Sequence, residues 1–220
     1  MNPAQTVSPR ILIVTAVRAE REAVLRGVQA DPRFDVIIGG VGAVAAAANT
    51  TRVLVSGRYD LVVCAGIGGG FLGRAELGSL VVANSIVCAD LGADSSDGFY
   101  SLEELGFGTT KVAVDARLVD SVALALRQAE LCVNIGVVLT VSTVTGTPAG
   151  AAGLAARVQD ATAEAMEGYG VAYAAHTCGI PVLELRAISN VVGPRDRSAW
   201  RIKEALQVLT TACVILTEVL

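Results

Sequence analysis

Short β-branched apolar runs alternate with amphipathic segments almost from end to end of this chain, and that alternation restricts its fold more than any other feature. ILIVTAV at 11–17 is short and β-branched, so it reads as a strand, and RAEREAVLRGV at 18–28 follows with apolar residues at helical spacing. FDVIIGGVG at 34–42 runs from strand into a glycine turn, and AVAAAANTTRVLVSG at 43–57 reads as helix. DLVVCAGIGGG at 60–70 is another strand opening into glycines, and 77–94 is a long, bent one. The segment 94–110 is rich in turn residues and reads as loop. Helix 115–130, strand 132–143, helix 148–158 opened by Pro148, a short strand at 161–166, a helix from 168, strand 180–192 and a closing helix over 198–220 complete the pattern. Such alternation predicts an α/β fold, a three-layer α/β/α sandwich around a central mixed, mostly parallel sheet. With no repeat or linker, residues 1–220 read as one domain, and 1–10 as a flexible tail.

Composition removes several functions. Charged residues are only 17% of the 220 and aromatic ones 4%, the formal net charge is −4, and no basic block occurs. A nucleic-acid partner is therefore not expected. At 53% apolar residues the chain can fill a large core and bury surface against a copy of itself, so a homodimer or higher homo-oligomer is expected. The longest uncharged run, 131–156, is long enough to span a bilayer, but its second half carries Ser, Thr, Pro and Gly and reads as strand followed by polar loop. No membrane association and no signal peptide are expected. The five cysteines (64, 88, 132, 178 and 213) are odd in number and widely spaced, as in a reduced cytoplasmic protein. A single histidine, His176, rules out a His-rich metal site and reads as structural.

In open α/β sheets, ligands bind beyond the carboxyl ends of the strands. Arg18 and Glu20, the glycines of 66–70, residues 143–147, Met166 with Glu167, and Ser189 with Asn190 all fall there. GVGAVA at 40–45 fits a dinucleotide-binding turn, but it follows the second strand, and no ribose-binding acid closes the next one. Its glycines serve equally to pack strand, turn and helix closely. Glu167, at the mouth of the helix in EAMEGYGVAYAAH, reads by itself as a first-turn acid favouring the positive helix end.

ILIVTAVRAERE, VIIGGVGAVAAA, VVCAGIGGG, AMEG and LRAISNVVG occur in the order seen in the nucleoside phosphorylase and nucleosidase superfamily, which the chain resembles over nearly its whole length. STVTGTP and RAISNVVGPRDRSAW resemble the futalosine hydrolase branch most. The resemblance implies a nucleoside phosphorylase-like fold, a small-molecule nucleoside substrate and no metal or organic cofactor. It implies hydrolysis of the N-glycosidic bond of futalosine with release of hypoxanthine, a step in an alternative route to menaquinone. Adenine-releasing nucleosidases and phosphorylases of the same superfamily are the alternatives.

The resemblance also assigns residues. Glu167 resembles the glutamate that accepts the ribose 2′- and 3′-hydroxyls, with Met166 packing under the sugar. Glu20 matches the water-activating glutamate; a carboxylate there disfavours phosphate and so favours hydrolysis. Asn190 stands where adenine-releasing enzymes have aspartate. An amide offers one acceptor and one donor, which match the N7–H and 6-carbonyl of hypoxanthine. Gly68 brings bare backbone to the ligand, and Val144 and Thr145 lie in the loop that meets the base edge. Phe107 or Phe99 is expected to supply an aromatic wall, to this site or to a neighbouring subunit's, and Arg195 or Arg197 to meet an aryl carboxylate.

Overall fold

The computed structural model describes residues 8–220, so most of the expected 1–10 tail lies outside the described residues; Ser8, Pro9 and Arg10 are exposed. The first half alternates as the sequence predicts: β1 (Ile11–Thr15), α1 (Arg18–Val28), β2 (Phe34–Ile38), α2 (Ala43–Leu54), β3 (Leu61–Gly70) and β4 (Leu80–Cys88). The segment read as loop is partly paired. Its start joins the end of the preceding run in a hairpin of β5 (Gly92–Ser95) and β6 (Gly98–Ser101), linked by Ser96 and Asp97, with Gly98 at φ of 117°. Such backbone suits glycine. β7 (Lys111–Ala113) then pairs antiparallel with β4. α3 (Ala116–Gln128), β8 (Val133–Thr140), α4 (Pro148–Arg157), β9 (Ala161–Ala165), α5 (Gly168–Thr177), β10 (Val182–Val191) and α6 (Ile202–Val219) follow.

The closing helix starts four residues later than expected. The Asp196 carboxylate accepts the Ser198 N–H and hydroxyl, which closes a single 3-10 turn at Arg197–Ala199 and leaves Trp200 and Arg201 non-helical. His176, read as structural, is exposed in the last turn of α5.

The eight-stranded sheet runs β10-β4-β8-β9-β3-β1-β2, with β7 beside β4. β1 pairs parallel with β2 and β3, β3 with β10, β4 with β8, and β8 with β9. β10–β4, β3–β9 and β4–β7 are antiparallel. The sheet curls so far that β9 returns to the end of β3 through Gly69–Glu164 and Gly70–Ala163. α1, α6 and α3 pack together on the sheet, and α2 packs with α5. β1, β3, β4 and β10 are buried along nearly their whole length, so their sequences are apolar runs rather than alternations. Among the described residues no helix is long and apolar enough to cross a membrane.

The same arrangement gathers the carboxyl ends of β1, β3, β9 and β10 at one rim. At that rim β10 carries a bulge: Ile188 opposes Gly68 and Asn190 opposes Gly69, leaving Ser189 unpaired. Bulges re-aim side chains, and this one brings Asn190 over Gly69.

Candidate active site

A cavity of about 260 Å³ opens at this rim and is lined by Glu20, Gly68, Val144, Thr145, Met166, Glu167, Asn190 and Arg195, among others. These sequence-expected residues come from six separate segments, and the fold brings them to one surface.

Glu20 is the third residue of α1. Its Oε2 accepts the N–H of Ala16 at 2.9 Å and of Val17 at 3.2 Å, while Oε1 accepts the N–H of Ile67 at 2.9 Å. An acid at a helix start ordinarily caps in solvent, whereas this one is only 3% exposed. Burial pushes its pKa up; Arg186 and the N–H groups of Ile67 and Ala16 pull the other way without cancelling that shift.

Glu167 precedes α5 without capping it through its side chain. Its Oε1 accepts the Gly42 N–H at 3.2 Å and its Oε2 lies 3.4 Å from Arg186 Nη1. The glycine turn with the dinucleotide-like spacing thus delivers an amide to a carboxylate. Gly42 holds φ of 90°, a conformation that strongly favours glycine.

Arg186 was not singled out by the sequence reading, yet it ties the site together from beneath. It is 1% exposed, and donates from Nε to Glu184 Oε1 at 2.9 Å, from Nη1 to the Ile67 carbonyl at 3.4 Å and from Nη2 to Cys64 Sγ at 3.1 Å. Burial opposes its charge, but Cys64, Glu184, Glu167 and Glu20 around it raise its pKa, so it stays a cation. Glu20, Glu167 and Glu184 outnumber this one buried cation. Burial accordingly raises Glu184 as well, against the pull of Arg186. Gly168 makes the arrangement possible, because a Cβ there would stand 2.2 Å from Glu184 Oε2.

Glu164, near the end of β9, also lines the cavity and is buried. Its Oε1 accepts the Thr145 N–H at 2.9 Å, and its Oε2 accepts the Thr145 hydroxyl. The Thr145 amide, expected to face a base, is therefore committed to Glu164. Burial raises Glu164 while the Thr145 bonds lower it, and the net shift is upward. Asn190 Oδ1 accepts the Ser189 hydroxyl at 2.9 Å and its Nδ2 donates to the Val191 carbonyl at 3.1 Å.

Neither Phe107 nor Phe99 lines this cavity within one chain. Phe107 is 77% exposed on a turn. Phe99 sits under the Arg157 guanidinium, 4.2 Å from ring centre to Cζ. Trp200 lines the cavity instead, with Arg195 over its ring at 5.5 Å and Arg197 at 5.9 Å. A signal for the missed residues was present: Glu184 and Arg186 are charges two apart in an otherwise apolar buried strand, where only a paired arrangement is tolerable. Among the described residues no group of His, Cys, Asp and Glu is placed to hold a metal ion.

The family model described as the phosphorylase superfamily matches residues 21–220. The chain is 50% identical to the futalosine hydrolase of Streptomyces coelicolor over 96% of both chains. Among solved structures, futalosine hydrolase of Helicobacter pylori superposes with a TM-score of 0.85 at 17% identity, covering 96% of this chain and 98% of that one. The 5′-methylthioadenosine/S-adenosylhomocysteine nucleosidase of the same organism gives 0.82 at 18% identity, over 96% of this chain and 97% of that one. At these identities the two structures speak to the fold.

Proposed function

This chain belongs to the phosphorylase superfamily, and from that premise we propose that it is an N-glycosyl hydrolase that splits futalosine and releases hypoxanthine. The relative at 50% identity supports futalosine as substrate. We place the reaction, as the family resemblance implies, in an alternative route to menaquinone.

The observation that carries the reading is the convergence of two buried carboxylates, Glu20 and Glu167, with Asn190 on one cavity. Cleavage of an N-glycosidic bond builds positive charge on the ribose and negative charge on the departing base. Glu167 accepts the ribose 2′- and 3′-hydroxyls, held in place by the Gly42 N–H and Arg186. Met166 packs under the sugar. Glu20, oriented by its three main-chain donors, takes a proton from water as the water oxygen bonds to the anomeric carbon. The C–N bond breaks, its electron pair leaves with the base, and a proton from solvent completes hypoxanthine. Gly68 exposes backbone beside the ligand. Asn190 pairs its acceptor with N7–H and its donor with the 6-carbonyl. Arg195, beside Trp200, meets the aryl carboxylate at the far end of futalosine.

We assign the chain one domain and the cytoplasm, where its five unpaired cysteines suit a reducing milieu. We also propose a homodimer or higher oligomer, in which exposed Phe107 supplies a wall to a neighbour's site; sedimentation at the mass of one chain would remove that assignment. The functional test is incubation with futalosine, inosine and methylthioadenosine in phosphate-free buffer, with chromatography for free base. Hypoxanthine from futalosine is expected; adenine release from methylthioadenosine alone would overturn the reading.

A further inference from the structure

Gly69 has two register partners: Glu164 across antiparallel β9 and Asn190 across parallel β10. Neighbouring strands lie about 4.8 Å apart, so the backbones of the two residues stand about 10 Å from each other, with Gly69, which has no side chain of its own, between them. Val192 packs against Gly69, its Cγ2 2.9 Å from where a Cβ would stand. Gly69, Glu164 and Asn190 all line the cavity, so a carboxylate and an amide flank this backbone there.

Glu164 is 5% exposed, and its two oxygens receive the Thr145 N–H and hydroxyl. Each carboxylate oxygen has a second lone pair, so acceptor capacity remains toward the cavity. While it holds those two donors, the ionised group offers no proton of its own. A ligand atom facing it must therefore be a donor. A 6-oxopurine carries N1–H, whereas a 6-aminopurine presents a bare acceptor at N1. The Asn190 argument separates these bases at N7 and position 6; Glu164 separates them at a third atom.

We propose that Glu164 is a specificity-determining residue that accepts the N1–H of a 6-oxopurine lying across Gly69, while Asn190 reads the same base from the other side. The proposal deepens the hydrolase reading and rests on it for the class of base. Selection by a buried polar group is strong, because the wrong base leaves that group unpaired.

Calorimetric titration of the full chain with hypoxanthine, 1-methylhypoxanthine and adenine tests it. Wild type is expected to bind hypoxanthine at least about tenfold more tightly than 1-methylhypoxanthine, which lacks the donor. Glu164→Gln is expected to lose about tenfold or more for hypoxanthine while adenine binding holds or improves, since an amide N–H can donate to adenine N1. Equal losses for both bases would show that Glu164 only clamps Thr145, and would overturn the proposal. Indifference of wild type to N1 methylation, or no binding of hypoxanthine, would also overturn it. If the variant fails to fold, the wild-type comparison decides by itself. Dependence on N1–H in a protein that leaves futalosine intact would sink the hydrolase reading and leave Glu164 assigned. Futalosine cleavage with no N1 dependence would do the reverse.

Discussion

Glu20 and Glu167 each have an ordinary explanation as helix-start acids; Glu20 meets it in part, capping α1 through the Val17 N–H, while Glu167 makes no side-chain cap. The Glu20 carboxylate turns inward onto Ala16, Val17 and Ile67, and Glu167 reaches across to Gly42 and Arg186. If Glu20 is the base, Glu20→Gln should lower kcat by about 10²–10⁴ with little change in KM, the range for removing a general base. Steady-state kinetics on futalosine would show it, and unchanged kcat would exclude the residue from the mechanism. Because burial raises its pKa above 4.5, falling pH protonates the carboxylate and removes the base early. A kcat/KM–pH profile should therefore rise with pH through a midpoint above 4.5, and that limb should vanish in the Gln variant. Sequence reasoning located both acids but not Arg186, Glu184 or Glu164. Their significance lies in being buried together, which a single strand such as ATAEA or VLELRAISNV signals only as a charge out of place.

Most elements were legible, because β-branched runs and helical spacings are local properties. The exceptions have local causes too. The β5–β6 hairpin has mostly exposed residues and no apolar periodicity to announce it. The late start of α6 depends on one Asp196 carboxylate competing for the Ser198 amide. At this scale the junction of β9 and α5 matters most for the site. Glu167 sits between them, and Gly168 packs directly on Glu184, with 2.2 Å from a built Cβ to Oε2. Neither atom lies at the end of a free, solvent-exposed chain, so one must move. Gly168→Ala should cost about 1–3 kcal/mol, as overpacked cores do, and should raise KM by displacing Glu167. Thermal melting and kinetics would measure the two effects. A stable variant with normal KM would show that the junction tolerates shift and does not set the ribose contact.

For the molecule as a whole, the site is a product of strand order. Because β1, β3, β9 and β10 end at one rim, residues as distant in sequence as Glu20 and Asn190 share a cavity. The rim was legible from the rule that ligands sit beyond the carboxyl ends of strands in α/β sheets. The return of β9 onto β3, which places Glu164 opposite Asn190 across Gly69, was not, since it depends on how far the sheet curls. The central claim is that this rim uses water to part a sugar from a 6-oxopurine. Mass spectrometry of the products formed from futalosine in phosphate-free ¹⁸O-labelled water tests it most directly. The account predicts hypoxanthine and, in equal amount, a sugar fragment bearing one ¹⁸O at the anomeric carbon. No cleavage without added phosphate, with a sugar 1-phosphate formed once phosphate is supplied, would contradict it.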